Sequence, residues 1–417
     1  RRGARSRGAP AGARPRGGRG GGGPPHDPAT DGPLAELDRR SLALRPSVGV
    51  FTRYADEPVT QTPLKVGAVE VALGAAGTRT VAAFDVHHTA GARLRALDAA
   101  AALYAERVVP AGPGGPSPES GAESGAAGRD PLPRVDPELL ATATGAGGDP
   151  VASWVVATSL VTKEEVRVPA GAVRPFGPDN QDRRFEPSRA GRGAGGGLPE
   201  AAAAGLLSAL AHDALRRSVR GAGRTSPIPP DAFGDDPEAT FLLRSAGHMG
   251  VGVELLDLGE ADRSGAWVVL ARTTARDTAA DEPVRWAVGA ALERTAAAVD
   301  ALRDLLGTVQ LAEEGVLGAP DTGDPLLADL DAALIPVTDR DGVTDPGGAT
   351  APGGATAPGV CGPGSSPDAP VTWTEVLERL AAAGRDALVV PTHGADLPAA
   401  GMHTVRVLLT KAAGDDR

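Results

Sequence analysis

The sequence holds one cysteine, three lysines and few aromatic residues, and each scarcity narrows what the protein can be. With Cys361 alone, no disulfide can form within the chain and no cysteine-only metal cage can be built. Lysine occurs at Lys65, Lys163 and Lys411, so nearly all positive charge is arginine. The net charge of −11 argues against a general nucleic-acid binder. Aromatics make up 3% of the chain, so large side chains must be concentrated in a few packed segments. No apolar run reaches the ~18 residues of a membrane span, and the N-terminus lacks the apolar stretch of a signal peptide. The expectation is a soluble cytoplasmic protein without a nucleic-acid or membrane partner. The chain opens on Arg1 and not on Met, as a fragment would.

Several chemistries are missing as motifs. There is no G-x-x-x-x-G-K-[ST] phosphate loop and no G-x-S-x-G nucleophile elbow. None of the seven histidines (His26, His87, His88, His212, His248, His393, His403) has a metal-ligand spacing.

What is abundant is Gly (57), Pro (38) and Ala, and alanine supplies much of the 41% hydrophobic share. Residues 1–33 are Arg, Gly, Pro and Ala with almost nothing large and apolar, and read as a disordered arm. Such an arm can touch RNA or an acidic partner, but its composition favours a plain linker. Residues 111–128 read as a flexible loop. Residues 341–370 contain PGGATA twice in tandem, a linker composition that also holds Cys361.

Between these breaks, apolar and β-branched runs predict a hairpin from Val66–Leu73 and Thr80–Val86. Strand pairs are expected at Trp154–Thr158 with Glu165–Val168, and at Val251–Leu258 with Ala266–Arg272. Two further strands are expected at Leu388–Pro391 and Thr404–Leu409. Helical periods cover Ala92–Val108, Pro199–Val219, Pro283–Leu306 and Trp373–Ala383. Leu206, Leu207, Leu210 and Leu215 share a face of the second of these. Strand pairs alternating with single helices predict an α+β fold, with antiparallel sheets packed by helices.

Gly191 to Gly196 matches G-x-G-x-x-G, but the residues before it, Asp182 to Ser188, cannot form the buried strand that a dinucleotide fold needs. What remains is a glycine loop entering a helix N-terminus, where backbone N–H groups can hold an anion. The local residues favour a plain surface loop.

Longer stretches carry a resemblance. Val168-Pro169-Ala170 is followed by a loop with Ser188, Gly191, Gly193 and Gly195. Next come Glu200-Ala201 and Gly205-Leu206-Leu207-Ser208-Ala209-Leu210-Ala211-His212-Asp213-Ala214. Further on stand Thr392, Asp396-Leu397, Gly401 and Val405-Arg406-Val407, and earlier the stretch Phe84–Arg107, whose helical part ends in Glu106-Arg107. In order and type these resemble the motifs of YcaO proteins, over roughly residues 40–410. The resemblance implies a YcaO-like fold and a part in azoline formation on ribosomal peptides. In the family, Mg-ATP activates a backbone amide attacked by a Cys, Ser or Thr side chain, and carboxylates hold the magnesium ions.

By that resemblance the candidate nucleotide-binding residues are Ser188, Gly191, Gly193, Gly195 and Asp213, and the candidate metal ligands are Glu106, Asp213 and Glu293. The sequence departs from the family where carboxylates are usual: Leu103, Ser208, Ala211 and Arg294 stand there, and His212 replaces an Arg. The resemblance therefore implies a degenerate paralogue acting as a scaffold or partner subunit. The alternative is an active ATP-dependent cyclodehydratase. The cofactor is Mg-ATP if the protein is active and none if it is not. Implied partners are a precursor peptide, a leader-peptide-binding or E1-like protein, and an intact YcaO subunit.

Overall fold

The computed structural model describes residues 32–45, 49–74, 77–109, 132–146, 150–274, 284–315, 324–338 and 371–412. Apart from Gly32 and Pro33, the arm expected at 1–33 lies outside the described residues, as do the linkers at 111–128 and 341–370 with Cys361. In chain order the elements are α1 (Pro33–Arg40), β1 (Arg53–Tyr54), β2 (Lys65–Ala72), β3 (Thr78–Asp85) and α2 (Thr89–Arg107). Then come β4 (Trp154–Ser159), β5 (Glu165–Pro169), α3 (Ala170–Val173), β6 (Arg192–Gly195), α4 (Leu198–Val219), β7 (Ser226–Pro227) and α5 (Pro237–His248). Next are β8 (Gly252–Asp257), α6 (Ala261–Ser264), β9 (Trp267–Thr274), β10 (Trp286–Ala291) and α7 (Arg294–Glu314). The last are α8 (Pro325–Asp329), α9 (Trp373–Ala382), β11 (Ala387–Pro391), α10 (Asp396–Ala399) and β12 (His403–Leu409).

The strands form three antiparallel sheets, ordered β1-β2-β3, β10-β9-β8-β7 and β5-β4-β11-β12-β6. The fold is α+β, as the alternation of strand pairs and single helices predicts. Helix α2 lies on the first sheet, α7 on the second and α4 on the third. The scarcity of aromatics has a structural answer: the helices meet the sheets through small side chains. On α2 the buried residues are Ala90, Ala92, Ala96, Leu97, Ala100, Ala101 and Ala105. On α4, Leu206 and Leu210 are buried against the third sheet with Leu207 half-buried beside them, whereas Leu215, half a turn away, is buried against the second sheet and does not share their face. Each fully buried leucine contributes roughly 1.5–3 kcal/mol by removing apolar surface from water.

Two further expectations are corrected. The helix expected over Pro283–Leu306 is a strand followed by a helix, with β10 pairing antiparallel to β9 along its whole length before α7 begins at Arg294. Alanines favour helix locally, but Gly289 in the middle disfavours it. A side chain at Gly289 would sit 2.1 Å from the Ala297 carbonyl oxygen, so its bare backbone lets α7 close onto the sheet.

The second correction concerns the glycine loop. Residues Arg192–Gly195 are strand β6, which pairs with β12 at the edge of the third sheet. The glycines serve packing. A Cβ at Gly193 would lie 1.9 Å from the Ala201 carbonyl oxygen and 2.4 Å from the Gly205 nitrogen on α4. Gly193→Ala is therefore expected to prise α4 from the sheet and cost about 3 kcal/mol, seen as a lower urea midpoint. An unchanged midpoint would show that this approach is not as tight as the geometry indicates.

Candidate functional site

Glu106 and the glycine stretch lie where α2, α4, β6 and β12 meet, and their surroundings decide what they can do. The register of the third sheet sets Arg192 of β6 directly opposite Arg406 of β12. Like charges facing each other across strands repel, so this pair needs an anion. The last turn of α2 supplies it. The Glu106 side chain is 6% exposed, its carboxylate meets the Arg192 guanidinium, and Arg406 Nη1 lies 3.6 Å from its Oε1. Arg406, itself 2% exposed, also donates to the Ser188 carbonyl at 3.1 Å. Burial and the charge of Arg406 press Arg192 down to about 9, and burial brings Arg406 down to about 10. Both values leave the guanidiniums charged at neutral pH. The recess enclosed with Glu106, Arg174, Arg192, Thr392 and Arg406 measures about 10 Å³, which is room for no more than a single water.

Asp213 belongs to a second network on another face of α4. Its Oδ2 accepts from Arg385 at 3.0 Å and lies 3.5 Å from Arg217 Nε. Arg217 in turn meets the fully buried carboxylate of Glu260. Burial by itself would raise the Asp213 carboxyl, but Arg385 and Arg217 outweigh it and hold the group below its ordinary value. Two carboxylates and two guanidiniums thus balance within the interior. This network ties α4 to α6 and to the start of β11.

Glu293 is brought to neither group. It is exposed at the N-cap of α7, while Arg294 lies over the ring of Trp267. The positions where the family pattern has carboxylates are filled differently. Leu103 packs against the cluster that holds Phe51 and Leu97. The Ser208 hydroxyl points to the Arg189 carbonyl at 3.4 Å, and Ala211 packs beside the second sheet. His212 lies 3.3 Å from Glu186, which also meets Arg216 and Arg220. Among the described residues no group of three or more His, Cys, Asp or Glu side chains is placed to share a cation.

The glycines are divided in role. Gly191 has φ +74°, a value that L side chains rarely adopt, and its carbonyl accepts from Val407 N–H at 2.7 Å. Gly195 abuts Glu200, whose carboxylate accepts from Gly196 N–H at 2.8 Å. That carboxylate takes the helix-entry position that an external anion would otherwise occupy. Ser188 is 1% exposed, and its hydroxyl finds no hydrogen-bond partner among the described residues. It lines a cavity of about 320 Å³ with Glu186, Arg216, Arg220 and Asp324.

Sequence reasoning missed Arg192, Asp324, Arg385 and Glu260. One signal was available for this class of residue: an arginine inside an apolar strand, as in Val405-Arg406-Val407, requires a buried partner. The partner's identity is not written beside it.

Comparison with known proteins agrees with this geometry at the level of fold. A heterocyclase in complex with substrate and cofactor superposes with a TM-score of 0.58 at 15% identity, over 91% of this chain and 52% of its own. The chain thus spans about half the length of that heterocyclase. YcaO from Methanopyrus kandleri, bound with AMPPCP and Mg2+, gives a TM-score of 0.56 at 19% identity, over 90% of this chain and 88% of its own. A chain of the E. coli microcin synthetase McbBCD complex gives 0.51 at 11% identity, over 88% of each chain. No curated protein sequence matches. The family model described as YcaO cyclodehydratase, ATP- and Mg2+-binding, matches residues 116–412, more than half of the sequence. With the order of motifs, the three antiparallel sheets and this match in agreement, the chain belongs to the YcaO cyclodehydratase family.

Proposed function

We propose that this YcaO protein is a non-catalytic subunit of machinery that forms thiazole- or oxazole-type rings on a ribosomal precursor peptide. In this role it acts as a scaffold or partner. A leader-peptide-binding or E1-like protein presents the peptide, and an intact YcaO subunit supplies the ATP-dependent step. The observation that carries the reading is that arginines surround each of the two buried candidate carboxylates, Arg192 and Arg406 at Glu106, and Arg385 and Arg217 at Asp213.

The residues present do not fit Mg-ATP. Magnesium requires near-octahedral oxygen coordination and is reluctant to shed water. A hydrated ion at Glu106 would have to displace one guanidinium and sit beside another in a recess of about 10 Å³. Leu103 offers an apolar side chain to an apolar cluster where a second carboxylate would be needed.

Reconstitution tests the role. The purified chain with Mg-ATP and precursor peptide is expected to form no azoline, read as no loss of water mass from the peptide. Adding an intact YcaO subunit restores cyclisation, and omitting this chain from that mixture lowers its rate. Ring formation with this chain as the sole YcaO component establishes the active-cyclodehydratase reading instead.

A further inference from the structure

Strand β10 ends the second sheet, and among the described residues β9 is its one strand neighbour. The ladder fixes which way its backbone points. The Thr273 N–H donates to the Arg285 carbonyl at 2.9 Å, and on the far side of β9 the Leu258 N–H donates to the Val268 carbonyl at 3.0 Å. Odd-numbered residues of β9 therefore bond to β10 and even-numbered ones to β8, since bonded and non-bonded pairs alternate in an antiparallel ladder. It follows that Ala287, Gly289 and Ala291 turn their N–H and C=O groups to β9, while Trp286, Val288 and Ala290 turn theirs outward. No main-chain partner meets these outward groups among the described residues.

An open edge of this kind is a template for a further strand, and proteins usually blunt it. The other sheet ends are covered, short or charged. Along β5 the Val135 N–H donates to the Arg167 carbonyl at 2.9 Å, and the Arg167 N–H donates to the Pro133 carbonyl at 2.8 Å. At β7 the Thr338 N–H donates to the Thr225 carbonyl at 2.7 Å. Strand β1 has 2 residues and β6 has 4, and β3 carries Arg79 and Asp85. By contrast, Trp286-Ala287-Val288-Gly289-Ala290-Ala291 has no charge, no proline and no bulge. Charge stands just outside it. Half-buried Arg285 precedes the strand and exposed Glu293 follows it, each four residues from Gly289. The Glu293 backbone is still extended, with φ −123° and ψ 142°. Neither side chain forms an ion pair or a hydrogen bond among the described residues.

We propose that β10 is a self-association edge, pairing antiparallel with β10 of a second copy of this chain about a two-fold axis at Gly289. In that register Val288 of each copy bonds with Ala290 of the other, Gly289 meets Gly289, and Ala287 meets Ala291. Arg285 of each copy then faces Glu293 of the other, so the dimer closes two ion pairs that the single chain leaves open. Moving the axis to Val288 would set Arg285 opposite Ala291 and leave both charges unpaired, so the charges select the register. The two-fold arrangement uses the same edge in both copies and stops growth at the dimer. The proposal does not rest on the non-catalytic reading, because neither nucleotide nor turnover enters its test.

The test is sedimentation velocity of the full chain over a concentration series, with circular dichroism to confirm that each variant is folded. The wild type is expected to be dimeric at about 100 μM. Arg285→Glu and Glu293→Arg each turn both ion pairs into repulsions, and each is expected to weaken association about tenfold or more. An equimolar mixture of these two variants is expected to dimerise again, because in the mixed dimer both facing pairs are once more of opposite sign. Val288→Pro removes an outward N–H while leaving the bonds to β9, and is expected to give monomer. A wild type that stays monomeric, single variants that dimerise as the wild type does, or a mixture that stays monomeric overturns the proposal. A dimer that withstands Val288→Pro places the contact on another surface and overturns it too. If Val288→Pro does not fold, the mixture decides. A monomer in which hydrogen exchange at residues 286–290 slows only on adding precursor peptide gives the edge to the peptide and likewise overturns self-association.

Discussion

Titration of the purified chain with magnesium and a non-hydrolysable ATP analogue is expected to give a dissociation constant of about 1 mM or weaker. The expectation follows from charge and space together. A triphosphate with its metals needs several carboxylates converging on the ions, because each hard-oxygen ligand also offsets cation charge. Here Glu106 is enclosed by Arg192 and Arg406, Asp213 is committed to Arg385 and Arg217, and Glu293 is exposed on another helix terminus. The glycine stretch is not a free anion loop either, since one side of Arg192–Gly195 pairs with β12 and Glu200 caps Gly196. Micromolar affinity that is lost in Glu106→Ala would return the protein to the active branch of its family.

The second expected result separates a metal ligand from a structural carboxylate. Glu106→Gln should lower the stability of the chain by about 3–5 kcal/mol, the usual cost of breaking a buried ion pair from one side. The reason is the facing arrangement of Arg192 and Arg406, whose repulsion Glu106 relieves at the end of α2. A carboxylate held in place for metal binding behaves in the opposite way. It sits in a site strained for function, and removing its charge leaves stability unchanged or raises it. Chemical denaturation of wild type and Glu106→Gln in metal-free buffer distinguishes the two. A midpoint at or above that of the wild type assigns Glu106 to ligand binding, and a large drop assigns it to the arginine pair.

Local order along the chain was set by the sequence itself. The alternating β-branched runs around Gly74–Gly77 specify the hairpin of β2 and β3, because period and turn residues act over a few positions. The leucine spacing of α4 sets Leu206 and Leu210 one turn apart on one buried face, since the period is 3.6 residues. Leu103, Ser208 and Ala211 standing where the family pattern has carboxylates is equally legible in the sequence, and it motivates the expectation of a weakened metal site.

The tertiary structure decided everything that depends on long-range pairing. Local propensity reads the alanines of 286–291 as helix, yet pairing with β9 makes them a strand, because sheet hydrogen bonds outweigh a preference of a few tenths of a kcal/mol per residue. Arg192 and Arg406 stand far apart in sequence and become neighbours only through the β12–β6 register. Asp324 reaches the neighbouring Arg189 backbone N–H from a different part of the chain again, and nothing beside it in the sequence names this partner. Burial makes these meetings consequential: in a low-dielectric interior each guanidinium must find an anion, and only the packed fold determines which one it finds.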